Sequence, residues 1–210
     1  MLEKLIKDSN ALQKAIAGEE LSYNDGIELM QYDNLYMMGA AADLIRQKRV
    51  GDTVTFAASY YLNYTNVCAA SCQMCAFYRK GDERDAYTLT PQEIEQRVGV
   101  AKEMGATEVH IVGGFHPDLG LDYYEEMMRT IKKTHPEMNI KAFTAAEIFF
   151  IARLTHNSVK EVLSRLKAAG LDSMPGGGAE LFHPEIRDKI VRGKCSGQEW
   201  LDTIEQAHNL

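Results

Sequence analysis

The spacing of apolar positions along the chain changes from helical to strand-like near residue 50. Before Gly51, apolar residues recur every three or four positions, and this pattern predicts helices over 3–17, 22–32 and 34–48. Beyond Gly51, short runs rich in valine, isoleucine, threonine and aromatic residues predict strands over 54–64, 107–112, 139–143 and 171–174. The chain is therefore predicted to have an N-terminal helical extension over 1–50 and a second domain over 51–210.

A helical pattern follows each predicted strand, so strand and helix alternate four times. Such alternation predicts an α/β fold with a parallel sheet and helices outside it. An open doubly wound sheet is the alternative, but no glycine-rich dinucleotide fingerprint follows the first strand. We therefore predict a (β/α) barrel of the TIM type. Because a barrel needs more strands than four, we expect this chain to be its N-terminal part and to continue beyond residue 210.

Composition excludes some classes of protein. The chain is 45% hydrophobic and 25% charged, which is typical of a globular protein with a core. Its formal net charge of −7 argues against a nucleic-acid partner. No apolar run is long enough to span a membrane, and the N-terminus lacks the apolar core of a signal peptide. These features predict a cytoplasmic protein without a membrane partner.

Three of the four cysteines lie in one short segment directly after the first predicted strand. Cys68, Cys72 and Cys75 have the spacing C-x3-C-x2-C, and thiolates are the usual ligands of iron–sulfur clusters. A [4Fe–4S] cube held by three cysteines has one iron without a protein ligand. A structural zinc site is the alternative, with Cys195 or His110 as the fourth ligand, although neither has paired spacing. Cys195 is otherwise expected to be an ordinary buried side chain.

Other unusual residues also follow predicted strands, where the active sites of barrels lie. They are Gly113, Gly114 and His116 after the second strand, Thr144 and Glu147 after the third, and Gly176, Gly177, Gly178 and Glu180 after the fourth. A glycine pair is most often a tight turn, and a loop histidine or glutamate is most often solvated. At a barrel mouth, His116 is a candidate acid–base group, and the last glycine run is a candidate backbone cradle in which Glu180 accepts hydrogen bonds from hydroxyl groups.

The cysteine segment resembles that of the radical S-adenosylmethionine (SAM) superfamily. The resemblance implies a [4Fe–4S] cluster on the three cysteines and SAM bound at the open iron. It also implies that Phe77 contacts the adenine of SAM and that Gly113 and Gly114 bind its methionine amino group. Met74 departs from the family pattern, which most often has an aromatic residue before the last cysteine. Phe115 also departs from it, because it stands where the family usually has a glutamate.

A closer resemblance, to the aminofutalosine synthases of menaquinone biosynthesis, is carried by segments 64–68, 76–79, 85–89, 105–114, 116–119, 141–148 and 169–180. It implies that the adenosyl radical adds to the enol-ether double bond of 3-[(1-carboxyvinyl)oxy]benzoate, so that SAM is consumed. An electron donor such as flavodoxin or ferredoxin is implied as a partner. The two carboxylates of this substrate lead us to expect a bidentate arginine, for which Arg79 and Arg84 are the candidates.

Three alternatives remain open from the sequence. Dehypoxanthine futalosine cyclases and the tyrosine-using subunit of deazaflavin (FO) synthase share much of the pattern. Segment 143–145 favours the aminofutalosine synthases over both, and segment 176–180 favours them over the deazaflavin enzymes. A non-enzymatic protein that uses an iron–sulfur or zinc site as a scaffold or sensor is the alternative of a different class.

Overall fold

The computed structural model of the chain describes residues 8–210. The chain divides into two compact units, of which the first ends at Phe56 and the second spans Ala57–Leu210. No helix in the described part of the chain is long and apolar enough to cross a membrane.

Among its described residues, the first unit contains three helices, each begun by a polar side chain that caps the free amides of its first turn. The helices are α1 (Asn10–Ala17), α2 (Tyr23–Gln31) and α3 (Leu35–Val50). Ser22 caps α2, and the carboxylate of Asp25 bonds back to the amide of Ser22 (2.8 Å), which confirms the predicted start. The start predicted for the first helix, at residues 3–7, lies outside the described residues.

The second unit is built on a parallel sheet of three strands in the order β1-β2-β3, which confirms the α/β class. The strands are β1 (Ser59–Asn63), β2 (Glu108–Val112) and β3 (Asn139–Ala142). Six helices of the second unit connect the strands or follow them along the chain: α4 (Pro91–Glu103), α5 (Leu121–Thr134), α6 (Ala145–Leu154), α7 (Val159–Ala169), α8 (Pro184–Ile190) and α9 (Gly197–His208). Capping boxes begin α4, α6, α7 and α9.

One face of the sheet forms the hydrophobic core of this unit. Leu62, Val109, Ile111 and Ile140 point to this face and are buried in one cluster with apolar residues of α4, α5, α6 and α7. Alternate residues of a strand point to opposite faces, so the residues between them lie on the other face of the sheet. That second face is predominantly polar.

The prediction of a fourth strand over 171–174 is wrong. Ser173 forms a single parallel bridge to Lys141, and the ladder does not extend from it. The reason is a side chain: the amide of Ile140 donates to the carboxylate of Asp172 (2.7 Å), in place of a backbone carbonyl. The first strand is also shorter than predicted, because β2 begins at Glu108 and Ser59 is the first residue it pairs with. Within residues 8–210 the sheet has three strands, so the barrel stays a prediction.

Candidate active site

A cavity of about 420 Å³ opens at the carboxyl ends of the three strands. It is lined by residues of β1 and β2, by the segments that follow the three strands, and by two residues from further along the chain. The lining residues are Tyr61, Asn63, Cys68, Ala70, Cys72, Cys75, Phe77, Tyr78, Val112, Gly113, Gly114, Phe115, Thr144, Glu147, Gly178 and Lys194. The three clustered cysteines, Phe77 and both glycines after β2 are therefore brought to one cavity.

The cysteine loop, which we define as residues 66–77, is held by backbone hydrogen bonds to three other segments. Its amides donate to carbonyls after β2, near the end of α8 and further along the same connection: Ala69 to Phe115 (2.8 Å), Ser71 to Arg192 (3.1 Å), Gln73 to Ile190 (3.0 Å) and Cys68 to Arg79 (3.0 Å). These bonds fix the backbone of the loop without using any cysteine side chain. The thiols are left available for a ligand.

All three cysteines of the loop are free thiols. The amide of Phe115 donates to the sulfur of Cys68 (3.3 Å). Burial raises the pKa of the Cys72 thiol, and the nearby ammonium of Lys194 opposes that rise. Thus the loop presents three sulfur donors, with hydrogen-bonding and cationic groups beside two of them.

The donor set of the loop suits one kind of metal site. Three free thiols of one loop line a single cavity. Cysteines that hold an iron–sulfur cube bind different irons, so three thiolates from one loop fit such a cluster. A structural zinc ion would take four ligands, commonly as two pairs.

The two glycines after β2 lie where no side chain fits. A Cβ atom on Gly114 would lie 2.1 Å from the carbonyl oxygen of Val67, and one on Gly113 would lie 2.7 Å from the ring of Tyr64. Contacts under 3.0 Å cannot be kept by real Cβ atoms, so both positions require glycine. The structure gives this pair a packing role beneath the cysteine loop in addition to lining the cavity.

Glu147, in the first turn of α6, connects the segments that follow all three strands. Its carboxylate accepts hydrogen bonds from the amide of Gly113 (2.9 Å), the amide of Thr144 (2.8 Å) and the hydroxyl of Tyr64 (3.2 Å). Glu147 is only 3% exposed, and burial raises the pKa of its carboxyl, against the effect of these hydrogen bonds. The sequence pattern Thr144-x-x-Glu147 predicts the capping contact alone, so the wider role of Glu147 was missed.

The remaining residues predicted after β1 and β2 lie away from the cavity. His116 lies in a separate depression with Pro117 and Asp118, and its Nδ1 accepts from the amide of Asp118 (3.2 Å). Arg79 donates from Nε to both carboxylate oxygens of Asp85 (2.8 Å each), so its guanidinium is already paired. Arg84 is exposed and, among the described residues, belongs to no ion pair.

Of the glycine run predicted as a cradle, Gly178 lines the cavity, while Gly176 and Gly177 are not among the described lining residues. Glu180 is paired instead with Lys194, whose Nζ lies 2.7 Å from its Oε1. Lys194 itself lines the cavity, which makes it the cation of the site. No signal in the sequence indicates Lys194, because the helix α8 and a turn separate it from the glycine run.

A buried arginine holds the connection between the glycine run and Lys194. Arg187, on α8, donates to the backbone carbonyls of Leu181 (3.0 Å), Gly178 (3.4 Å), Ala179 and Cys195. These carbonyls lie on both sides of α8, so the guanidinium ties the glycine run to the segment that carries Lys194.

Two further residues that line the cavity, Tyr61 and Asn63, were not predicted from the sequence. Their alternation with apolar residues in β1 is a signal visible in the sequence.

Comparison with known proteins places this geometry in a family. The family model of the Radical SAM superfamily matches residues 62–210. The chain is 42% identical over 199 residues to aminodeoxyfutalosine synthase of Streptomyces coelicolor, covering 93% of this chain and 51% of that protein. It is 42% identical over 175 residues to 5-amino-6-(D-ribitylamino)uracil–L-tyrosine 4-hydroxyphenyl transferase of Methanopyrus kandleri, covering 83% of this chain and 47% of that protein. It is 38% identical over 195 residues to cyclic dehypoxanthine futalosine synthase of Halalkalibacterium halodurans, covering 92% and 53%.

The chain thus spans about half the length of the curated relatives it matches. This chain also spans about half the length of the solved structures on which it superimposes. The hydrogenase maturase HydG from Carboxydothermus hydrogenoformans superimposes with a TM-score of 0.70 at 20% identity, covering 99% of this chain and 48% of that chain. Methylornithine synthase (PylB) superimposes with a TM-score of 0.64 at 18% identity, covering 95% and 56%. At these identities the superpositions establish the fold alone.

Proposed function

The chain belongs to the radical SAM superfamily, and we propose that it forms the part of a radical SAM enzyme that holds the iron–sulfur cluster and the adjoining wall of the SAM site. The superfamily uses a [4Fe–4S] cluster and SAM. The observation that carries the proposal is the cavity itself, where three free thiols lie beside a glycine pair at the ends of parallel strands. We also propose that the three strands belong to a (β/α) barrel, to which the superposition on radical SAM structures lends support.

In this proposal Cys68, Cys72 and Cys75 are the cluster ligands. When bound, the cluster would supply the electron that cleaves the sulfonium of SAM. The protein's own contribution is to hold SAM beside the loop and to exclude water and stray hydrogen donors from the cavity. Phe115 and Ala70 serve the second task, because both are apolar, buried and part of the cavity wall.

The SAM contacts are proposed for the residues that share the cavity with the cysteines. Phe77 supplies an aromatic edge or face for the adenine, and Gly113 and Gly114 supply backbone groups at close approach. Gly178 is the member of the glycine run that reaches the cavity. Gly176, Gly177 and Glu180 remain candidates that need a local movement, since Glu180 is held by Lys194.

For the reaction, we propose the addition of the adenosyl radical to the enol-ether double bond of 3-[(1-carboxyvinyl)oxy]benzoate. Rearrangement and loss of the enol carboxylate as bicarbonate then give aminofutalosine. The similarity to an aminodeoxyfutalosine synthase over 93% of the chain supports this choice, as do segments 143–145 and 176–180. Two second candidates are supported by relatives of similar identity, one named a cyclic dehypoxanthine futalosine synthase and the other an L-tyrosine 4-hydroxyphenyl transferase. An electron donor such as flavodoxin or ferredoxin completes the proposal.

Recognition of the substrate carboxylates is proposed for Lys194 rather than for an arginine near the cysteine loop. Lys194 lines the cavity, whereas the guanidinium of Arg79 is engaged by Asp85. A carboxylate that enters the cavity can replace Glu180 as the partner of Lys194, so the exchange conserves one ion pair. Arg84 is exposed and is not among the residues that line the cavity.

The experiment begins with anaerobic reconstitution of the protein with iron and sulfide, followed by incubation with SAM and a reductant. Separate incubations add the enol-ether benzoate, dehypoxanthine futalosine, or tyrosine with its ribitylaminouracil partner. We expect aminofutalosine in the first incubation. Absence of 5′-deoxyadenosine, and of any product that contains it, from all three incubations would refute the enzyme proposal and favour a scaffold or sensor.

The ligand assignment has a matched control within the chain. Cys72 and Cys195 are both free and buried, with 6% and 5% of their surfaces exposed. We expect Cys72→Ala to lose the four-iron content and the electron paramagnetic resonance signal of the reduced cluster. We expect Cys195→Ala to retain both. Equal iron content in the two variants would contradict the assignment.

A further inference from the structure

The two faces of the parallel sheet differ sharply in chemistry. Parallel sheets usually have both faces covered, and their strands then read as continuous apolar runs. Here the alternate residues between the core positions are polar or aromatic with one exception: Ser59, Tyr61, Asn63, Glu108, His110, Val112, Asn139 and Lys141. Such a face is suited to line a site that binds a polar or aromatic ligand.

One row of side chains crosses this face at a single level. The strand register pairs Tyr61 with His110 and His110 with Lys141. The rings of Tyr61 and His110 are in contact in a tilted arrangement, with their centroids 4.7 Å apart and an interplanar angle of 32°. At the end of the row, Nζ of Lys141 is held by Oε1 of Glu108 (2.6 Å). The row therefore presents a fixed aromatic pair beside a neutralised cation.

Tyr61 is largely exposed despite its ring contact with His110. It is 61% exposed, although it lies in the middle of a parallel strand. Tyr61 and Asn63, the next residue on the same face, line the cavity of the three cysteines. A ligand that fills this cavity therefore meets Tyr61 at the cavity's sheet-side end.

We propose that Tyr61, oriented by its tilted ring contact with His110, is the surface on which the aromatic ring of the substrate packs. The inference rests on the proposed function and names the substrate class, an aromatic carboxylate. The enol-ether benzoate and tyrosine both carry such a ring, so the inference does not depend on the choice between them. Tyr61 would be a binding residue, and His110 a positioning residue.

The surroundings of the pair suit an aromatic acid. Burial and the charge of Lys141 lower the pKa of His110, which keeps its imidazole neutral at physiological pH. A neutral imidazole stacks without desolvating a charge. Lys194, also in the cavity wall, supplies a cation for the carboxylate. The other possible occupant of this face is protein, in which case Tyr61 would only be a packing residue.

The test is equilibrium binding to the anaerobically reconstituted protein without SAM, so that no turnover occurs. The probes are 3-hydroxybenzoate and its saturated counterpart, 3-hydroxycyclohexanecarboxylate. Ligand-observed NMR titration measures the Kd of each probe. An aromatic pair of this kind contributes roughly 3- to 10-fold to an affinity. We therefore expect the wild-type protein to bind the aromatic acid more tightly by about this factor.

Four variants separate stacking from packing. Tyr61→Leu should abolish the preference for the aromatic probe, whereas Tyr61→Phe should keep it. His110→Ala should weaken it and His110→Phe should restore it, because a phenyl ring can also stack. Tyr36→Leu is the control, since Tyr36 is 88% exposed in the first unit. The circular dichroism spectrum should be unchanged in all variants.

The inference is overturned if the wild-type protein binds neither probe or does not distinguish them. It is also overturned if Tyr61→Leu weakens both probes equally, which is the result expected of a packing residue. The proposed function can fail separately. If no adenosylated product forms but the Tyr61-dependent preference is present, the reaction is wrong and the stacking surface stands.

Discussion

The carboxylate of Glu147 should be a main determinant of stability in the second unit, and Glu147→Gln tests this with minimal change in shape. Oε1 accepts from the hydroxyl of Tyr64 and the amide of Gly113, and Oε2 accepts from the amide of Thr144. Glutamine offers one carbonyl oxygen and one NH2 group. In either orientation, the NH2 group therefore faces at least one backbone N–H, from which it cannot accept a hydrogen bond.

The magnitude follows from the bonds that are lost. With the amide oxygen at the Oε1 position, the bond to Thr144 is lost, and the buried donor is left without its partner. A hydrogen bond to a charged group contributes about 1.5–3 kcal/mol. We expect the free energy of unfolding to fall by about 2–3 kcal/mol. Since urea m-values are about 1–3 kcal/mol/M, the midpoint should fall by roughly 1 M.

The assay is urea unfolding followed by the fluorescence of Trp200, the single tryptophan, which reports on the second unit alone. Glu161→Gln is the matched control, because Glu161 forms the same capping box with Ser158 at an exposed helix start. Its amide-to-carboxylate bond has the same length as that of Glu147, 2.8 Å. If the two substitutions lower the midpoint equally, Glu147 is only a helix cap and the reasoning is refuted.

Three further predictions concern other parts of the chain. Gly114→Ala should lower the free energy of unfolding by about 1–3 kcal/mol or more in the same assay, because its Cβ would lie 2.1 Å from a carbonyl oxygen, whereas Gly176→Ala, with nothing within 4 Å, should not. Arg187→Lys should lower it by about 3 kcal/mol, since an ammonium cannot reach the carbonyls that the guanidinium fork joins, and an unchanged midpoint would contradict this. The Asp25 carboxyl should titrate by NMR with a pKa of about 2, below its usual 3.8, because the Ser22 hydroxyl bonds to its ionised form. Its stabilising effect is then full above pH 4 and lost as the pH falls through about 2, and Ser22→Ala should raise the pKa; a pKa near 3.8 in the unaltered chain would contradict the assignment.

Features that depend on neighbouring residues were predictable from the sequence. The capping boxes at Ser22, Thr90 and Ser158 identify helix starts because each needs residues only three positions apart. The predicted strand at 171–174 fails because Asp172, whose side chain bonds the amide of Ile140, decides the ladder through a contact across 32 positions. Propensity describes the backbone of a segment and contains nothing about such a partner.

The residues of the candidate site also fall into those set by local patterns and those set by contacts between distant segments. The cysteine spacing and the glycine pair are local patterns, and the structure brings them to one cavity. Lys194 reaches that cavity because the turn that precedes it packs on the cysteine loop, where a Cβ on Gly193 would lie 3.2 Å from Cα of Ala70. A contact between segments more than 120 positions apart has no signature in either segment.

The polar face of the sheet connects the pattern of the strands with the chemistry of the cavity. In β1 the core side is Tyr60 and Leu62, and the other side is Ser59, Tyr61 and Asn63. An apolar second face would bury itself against other protein and leave little space above the strands. Because this face is polar, its burial against other protein would cost free energy unless every group found a hydrogen-bond partner. The alternation therefore favours a space that water or a ligand fills, beginning at the sheet and continuing to the cysteine loop.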